Sequence, residues 1–299
     1  MSPSEMLSGP DLGGGFLHQL TIDREPDGTW FTFHAQDGGM DAGGPAKGSP
    51  EPFAYATTAA ACSFGGPRCW HRRFRLEESE GPRVRVAYNR MRFVLAPMLE
   101  QRYGGRAATV DTALEEIVGR LSDPARGRPV PWYVGGSMAA HLLGAAISPH
   151  DIDLGTTREG IDRIASTISE YLIEPVAPTD WPHAGAVYAA RAFVGTVRDG
   201  ARVEWAHRMH AASSRFDEWS GELSRVRTEG VEFRGHTLRA TRLEYALVRA
   251  AENGKLERLD PLVTAIRAHG TDAELLEGLL GASALPPPAC DALRARCIA

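Results

Sequence analysis

The spacing of apolar residues along the chain predicts a mixed α/β protein. Short apolar runs predict strands at residues 16–22, 29–34, 69–76, 186–197, 201–206 and 230–238. Apolar residues repeated every three or four positions predict helices at residues 89–101, 109–121, 156–172, 242–253, 259–269, 272–280 and 289–297. Asp27-Gly28 and Asp199-Gly200 favour hairpin turns, and the strand at 230–238 contains a predicted turn at Arg234-Gly235. Residues 84–88 fit either a strand or the entry to the first helix.

The order of these elements predicts three regions. Residues 1–90 form a β-rich N-terminal domain of unknown role, residues 107–240 an α/β core, and residues 241–299 a helical C-terminal region. The segment 36–52 is rich in Gly, Asp and Pro, which is typical of a mobile loop.

The predicted core contains a strand, a glycine turn and a helix in close succession. Trp132-Tyr133-Val134 predicts a buried strand, and Gly135-Gly136 predicts a tight turn at which a ligand can approach the backbone. Ser137 is suited to cap the helix that follows at residues 138–143. Free N–H groups at such a helix start would bind a phosphate.

A second strand in this stretch carries two aspartates. In Asp151-Ile152-Asp153-Leu154 the side chains alternate, so both aspartates share one face while Ile152 and Leu154 face the core. Carboxylates paired in this way, beside a phosphate cradle, suit Mg²⁺. The alternative is a glycine turn with two solvated aspartates on an edge strand.

Gly135-Gly136-Ser137, followed after thirteen residues by Asp151-Ile152-Asp153, resembles the motif of the DNA polymerase β-like nucleotidyltransferase superfamily. The spacing is at the long end for that superfamily. The resemblance implies a polymerase β-like core with a mixed sheet, classed α/β (α+β). It also implies transfer of a nucleoside monophosphate from an NTP co-substrate to an acceptor hydroxyl, with release of pyrophosphate and two Mg²⁺ ions.

The resemblance also requires a third carboxylate on a later strand. Glu204, between Val203 and Trp205, is our choice because its strand follows the Asp199-Gly200 hairpin directly. Glu232 has a similar apolar setting and is the rival. The competing interpretation of Glu204 is an exposed residue paired with an arginine such as Arg191 or Arg202.

The same resemblance assigns roles to these residues. Asp151, Asp153 and Glu204 are the expected catalytic residues and metal ligands. Gly135, Gly136 and Ser137 are expected to hold the phosphates. Arg158 and Arg249 are further expected phosphate partners, and Lys255 just beyond Arg249 could serve instead.

Composition narrows the class of protein. No run of the 299 residues approaches the length of an apolar membrane helix, and the N-terminus lacks the features of a signal peptide, so a cytoplasmic location is expected. A net charge of −5 disfavours a general nucleic-acid binder. Four cysteines are too few for a disulfide scaffold, and the spacing of Cys62, Cys69 and His71 is poor for zinc.

The sequence is compatible with several classes of acceptor. A small-molecule hydroxyl is favoured by the acidic chain. RNA is possible through Arg68, Arg72, Arg73 and Arg75, which surround Trp70 and Phe74. Two alternatives are a toxin-like enzyme that modifies RNA or protein and a binding protein that holds a nucleotide without turnover.

Overall fold

The computed structural model describes residues 5–8, 16–26, 28–37, 69–104, 107–123, 125, 131–181, 185–196, 199–208 and 227–298. These residues form two sheets and a set of helices, which confirms the prediction of a mixed α/β fold. The predicted loop at 36–52 lies almost entirely outside the described residues, and so do Cys62 and Arg68. The three predicted regions stay a prediction.

The first sheet is antiparallel, with its strands in chain order. The strands are β1 (Glu5–Ser8), β2 (Phe16–Glu25), β3 (Gly28–Asp37) and β4 (Cys69–Leu76). Strand β2 pairs with β3 from Phe16 opposite Asp37 to Glu25 opposite Gly28, so the predicted Asp-Gly hairpin is confirmed.

Helix α1 (Gly81–Gly104) follows this sheet, so the alternative of a strand at 84–88 was wrong. Its buried side chains Val84, Tyr88 and Met91 pack against Phe33 and other apolar residues of the first sheet. The same cluster includes Ile173, Ala177 and Phe193 of the second sheet. Helix α1 therefore joins the two sheets through one apolar core.

The second sheet has seven strands and is mixed. Its strands are β5 (Trp132–Gly135), β6 (Ile152–Thr156), β7 (Leu172–Trp181), β8 (Gly185–Val194), β9 (Ala201–Arg208), β10 (Thr228–Phe233) and β11 (His236–Thr241). Their spatial order is β10-β11-β5-β6-β9-β8-β7. The strand predicted at 230–238 with a turn at Arg234-Gly235 is the hairpin β10–β11, and Arg234 and Gly235 adopt positive φ angles of 48° and 82° in that turn.

The remaining helices pack around this sheet. They are α2 (Ala107–Ser122), α3 (Gly136–Leu142), α4 (Arg158–Thr167), α5 (Leu243–Glu252), α6 (Leu259–His269), α7 (Ala273–Ala282) and α8 (Pro287–Ile298). Their apolar faces share one large core with β5, β6, β8 and β9. Among the described residues, no helix is both long and apolar enough to span a membrane.

Strand β7 was missed by sequence reasoning, as was the short strand β1. Helix α4 ends at Thr167, five residues before the predicted end, and β7 begins at Leu172. Pro175 and Pro178 lower the strand signal, but β7 lies at the edge of the sheet, where proline is tolerated.

Gly155 provides a test of the packing beside β6. It lies opposite Tyr133 on β5, and a Cβ at position 155 would overlap the buried Tyr133 ring. We expect Gly155→Ala to lower the free energy of unfolding by about 1–3 kcal/mol in urea denaturation, because the ring must leave its position. The control is Gly230→Ala, whose new Cβ would lie 3.7 Å from Thr237 Cγ2. A Gly155→Ala protein as stable as Gly230→Ala would show that the ring moves freely.

Candidate active site

The glycine turn connects β5 to α3 through two unlike glycines. Gly135 is extended, with φ −118°, and caps the helix, whereas Gly136 begins it with φ +58°. Ser137 is therefore inside the helix and buried, so its predicted capping role was wrong. A positive φ favours glycine because other residues meet a steric penalty there.

Gly136 is also the residue against which Asp153 lies. Strands β5 and β6 are antiparallel, and Gly135 is paired with Asp153. A Cβ on Gly136 would overlap the Asp153 carboxylate. The turn and the Asp-x-Asp strand are thus in direct contact, and the absent side chain at position 136 makes room for the carboxylate.

Strand β9 lies parallel to β6 and brings in the predicted third carboxylate. Asp153 is paired with Glu204, and Ile152 with Val203. Residues paired in register project to the same face of a sheet, and Asp151 joins them because it precedes Asp153 by two positions. The structure therefore places Asp151, Asp153 and Glu204 on one face of two neighbouring strands.

Glu232 lies elsewhere. It is on β10, which is separated from β6 by β11 and β5, a displacement of about 14 Å at the usual strand spacing. Its carboxylate accepts a hydrogen bond of 2.5 Å from the Thr237 hydroxyl in the same hairpin. The geometry thus favours Glu204 over Glu232 as the partner of the two aspartates.

Two arginines neutralise part of this acidic face. Arg202 on β9 is ion-paired with Asp151. Arg191 on β8 is buried between two carboxylates, with an ion pair to Glu204 and a second to Glu174 on β7 at 2.7 Å. Glu204 is thus paired with Arg191, one of the two arginines considered from the sequence, but it is buried rather than exposed.

Glu174 is the member of this network that sequence reasoning missed, because its strand was not predicted. The available signal was its position in Ile173-Glu174-Pro175-Val176, an acidic residue within an apolar run like those around Glu204 and Glu232. Only the pairing of β7 with β8, which brings Glu174 opposite Arg191, shows the connection.

Asp153 is the carboxylate of the site whose pKa is raised. Burial, together with the negative charges of Asp151 and Glu204, raises its pKa to about 7, while Arg202 and Lys255 oppose the shift. Within the described part of the chain, no donor is hydrogen-bonded to its carboxylate. A carboxylate in this setting is stabilised by a proton or by a cation.

Lys255 lies near this carboxylate because of how α5 ends. Gly254, with φ +67°, donates its N–H to Ala251 O, and Lys255 donates its N–H to Ala250 O at 2.9 Å. This pair of bonds is the Schellman motif, which turns the chain sharply after a helix. Burial and the neighbouring Arg258 lower the pKa of Lys255, whereas Asp153 and Asp151 act in the opposite direction.

The two arginines predicted to bind phosphate are engaged elsewhere. Arg249 is ion-paired at 2.6 Å with Glu252 on the same helix. Arg158 follows β6 at the end opposite to Asp151, where it is paired with Asp162 and lies over the Tyr188 ring. Of the three predicted cations, Lys255 is the one whose charge acts on Asp151 and Asp153.

The chemistry of the site suits a hard divalent cation. Asp151, Asp153 and Glu204 offer oxygen donors, which Mg²⁺ prefers, and the raised pKa of Asp153 reflects its burial first and the negative charges of Asp151 and Glu204 second. Within the described residues, however, no three carboxylate, histidine or cysteine side chains already converge as a metal site. The ion pairs with Arg202 and Arg191 hold Asp151 and Glu204 in their present positions.

Comparison with solved structures finds two proteins to which parts of this chain are similar. A candidate nucleotidyltransferase from Thermotoga maritima is 23% identical over 50% of this chain and 88% of its own, with a TM-score of 0.39. An antigenic nucleotidyltransferase-like protein from Paracoccidioides brasiliensis is 9% identical over 64% of this chain and 92% of its own, with a TM-score of 0.37. No family model and no curated protein matches the chain. At such TM-scores, the interpretation of the site rests on its own geometry.

The buried charge of Asp153 predicts that its removal stabilises the folded protein. In metal-free buffer at pH 8, we expect Asp153→Asn to raise the free energy of unfolding by about 1–3 kcal/mol, because it removes a charge that the folded state holds unfavourably. The folded-state pKa is raised to about 7. The difference between variant and wild type should therefore grow as pH rises from about 4 to 7 and level off above.

Asp151→Asn is the matched control, since it removes an equal charge two positions away. It also removes the partner of Arg202, so we expect no comparable gain. Urea denaturation at several pH values measures both variants. Equal gains from the two substitutions would contradict the assignment of the excess charge to Asp153.

Proposed function

We propose that the protein transfers a nucleoside monophosphate from an NTP to an acceptor hydroxyl, with release of pyrophosphate. One observation carries this proposal. Asp151, Asp153 and Glu204 share a face on two parallel strands, and Asp153 lies against a glycine turn with no room for a side chain. An acidic face and an open backbone turn together can accommodate a triphosphate and the cation that accompanies it.

The acidic residues have distinct roles in this proposal. Asp151, Asp153 and Glu204 would hold Mg²⁺, which when bound polarises the phosphoryl group and lowers the pKa of the acceptor hydroxyl. The ion pair between Glu204 and Arg191 favours a metal ligand over a general base, because a base must become neutral beside the buried cation. Glu174 shares Arg191 and so helps to orient Glu204.

The nucleotide phosphates would lie at the turn and beside Lys255. The backbone at Gly135, Gly136 and Ser137 begins a helix, whose first N–H groups favour an anion. Lys255 would offset the charge that develops on the departing pyrophosphate. We assign Lys255 the role expected for Arg249 and Arg158, because Arg249 is ion-paired with Glu252 and Arg158 with Asp162.

The acceptor we propose is a small-molecule hydroxyl. Helix α1 covers the carboxylate face beside the site, because Phe193, two residues from Arg191 on the same face of β8, is buried against it. Arg90 of α1 also donates to Phe193 O and Gly195 O at 3.4 and 3.3 Å. A partly covered face suits a compact acceptor. Among the arginines considered for RNA, Arg75 is exposed and lies over the Trp30 ring.

Labelled nucleotides test the reaction directly. The protein is incubated with Mg²⁺ and NTPs labelled at the α-phosphate, together with a small-molecule extract, total RNA or a protein extract in separate reactions. Pyrophosphate release with label in the small-molecule fraction is the expected result. Label in the RNA or protein fraction would support nucleotidyl transfer but identify RNA or protein, rather than a small molecule, as the acceptor. Bound NTP without pyrophosphate release in all three reactions would indicate a binding protein and overturn the proposal.

Glu204 and Glu232 give the first prediction for this reaction. We expect Glu204→Gln to lower kcat by on the order of a hundredfold or more, because it removes a proposed metal ligand. Glu232→Gln is the matched control and should stay within a few-fold of wild type, since its carboxylate lies about three strands away. A larger loss in Glu232→Gln than in Glu204→Gln would reverse the assignment.

Lys255 gives the second prediction. Lys255→Met should raise KM for the NTP roughly tenfold or more, because a charge-assisted contact to a phosphate contributes about 1.5–3 kcal/mol. Arg249→Met should change KM by only a few-fold, since Arg249 is engaged with Glu252. Steady-state kinetics with varied NTP separate the two variants. A larger rise of KM in Arg249→Met than in Lys255→Met would indicate that Arg249, and not Lys255, binds the phosphate.

A further inference from the structure

We propose that the Thr241 hydroxyl donates a hydrogen bond to a phosphate of the bound nucleotide, at the place where the glycine turn meets Asp153. Thr241 is the last residue of β11 and was not among the site residues predicted from the sequence. This inference rests on the proposed function, because it assigns a further residue to the phosphate part of that site. It concerns binding, so it can fail while nucleotidyl transfer stands.

The strand order brings Thr241 beside the glycine turn. Strands β11 and β5 are neighbours and run parallel, with Ala240 paired with Val134. The next residues along the two strands are Thr241 and Gly135, so these two lie side by side. Gly135 is in turn paired with Asp153 on β6. Thr241 is therefore two strands from Asp153, a separation of about 10 Å at the usual strand spacing.

Thr241 also projects from the face that carries the carboxylates. Its neighbour Ala240 is buried with Val134 in the large apolar core, on the opposite face of the sheet. Because successive side chains of a strand alternate between faces, Thr241 shares the face of Asp153. A Cβ added at Gly135, between them, would lie 3.8 Å from its nearest neighbouring atom outside the turn, Asp153 O. The space above this glycine is therefore not filled.

The hydroxyl of Thr241 has no hydrogen-bond partner among the described residues, although the residue is only 4% exposed and its Oγ1 is buried. The other buried threonines of the second sheet differ in this respect. Thr156 donates to Pro131 O at 2.8 Å, and Thr228, paired with Thr241, accepts from Arg239 Nε at 3.0 Å. A buried polar group without a partner costs free energy and is rare in folded proteins. The Thr241 hydroxyl is thus a donor that a ligand on this face can use.

The backbone around Thr241 fixes the position of this hydroxyl. Thr241 is paired with Thr228 across the β10–β11 hairpin, and the next residue, Arg242, donates its N–H to Arg227 O at 2.9 Å. Threonine is branched at Cβ, so its side chain has few allowed rotamers. Since Oγ1 is buried, the nucleotide must displace the groups that cover it. A hydrogen bond formed in such a water-poor place is stronger than one at the surface.

Within the proposed site, a phosphate oxygen is the acceptor that this hydroxyl can reach. The proposed function places the nucleotide phosphates over the glycine turn, and Gly135 of that turn lies between Thr241 and Asp153. A hydroxyl donates a hydrogen bond without adding a charge. It can therefore bind a phosphate without forming an ion pair with Asp153 before the nucleotide arrives, as a lysine or an arginine would.

Thr241→Val tests this role, because valine keeps the branched shape and removes the hydroxyl. Calorimetry measures the binding of inorganic triphosphate and of an ATP analogue with a methylene bridge between its α- and β-phosphates, each with Mg²⁺ and without turnover. We expect both affinities to fall about tenfold or more, the range for a hydrogen bond to a charged group. Thr241→Ser keeps the hydroxyl and should stay within a few-fold of the wild type.

The melting temperature of the nucleotide-free variants is a second readout. Removal of a buried hydroxyl that has no partner should raise the melting temperature of Thr241→Val by about 2–4 °C. Thr156→Val is the matched control, because its hydroxyl donates to Pro131 O. It should melt at a lower temperature than the wild type and keep the wild-type affinity for both ligands. If Thr241→Val does not fold, Thr241→Ala is measured for affinity in the same way.

The outcomes separate this inference from the proposed function. Unchanged affinity for both ligands in a folded Thr241→Val protein would overturn the inference, while pyrophosphate release by the wild type would still support nucleotidyl transfer. Weaker binding of the ATP analogue alone would place the hydroxyl at the nucleoside and overturn the assignment to a phosphate. Binding that depends on Thr241, without pyrophosphate release, would support the inference and overturn the transfer. No binding of either ligand by the wild type would overturn both.

Discussion

The parallel pairing of β6 with β9 is the constraint on which the candidate site depends. It brings Asp153 and Glu204 opposite each other in register, with Asp151 on the same face. Like charges at that spacing repel one another strongly when water is excluded. The sheet can hold them there because β8 and β9 contribute Arg191 and Arg202, and β7 contributes the second partner of Arg191. The acidic face is thus stabilised by four adjacent strands.

The N-terminal third of the chain contributes to the site through packing. The first sheet and α1 share an apolar core with Ile173, Ala177 and Phe193 of β7 and β8. Those two strands carry Glu174 and Arg191. The core that positions the strands therefore also positions the Arg191 guanidinium, which is ion-paired with Glu204. The β-rich region, for which the sequence indicates no role, therefore supports the part of the sheet on which the carboxylates depend.

Local patterns predicted much of the fold, and long-range pairing accounts for most of what they missed. Period-two alternation predicted that Asp151 and Asp153 share one face, and chain order favoured Glu204 over Glu232 as their partner. The helix predicted at 242–253 is observed as α5, Leu243–Glu252. Strand β7 was missed because Pro175 and Pro178 weaken its pattern, and Glu174 was missed with it. No pattern in α5 ranks Arg249 against Lys255, since the choice depends on the direction of the chain after the Schellman turn.

The contact between Gly136 and Asp153 links two positions that lie seventeen residues apart in the sequence. A side chain at position 136 is excluded for as long as the carboxylate at 153 is kept. If the carboxylate were lost, a residue that tolerates positive φ, such as Asn, could occupy position 136. The two positions are therefore expected to vary together over evolutionary time. A related chain that lacks the carboxylate at 153 is therefore the place to look for a side chain at 136.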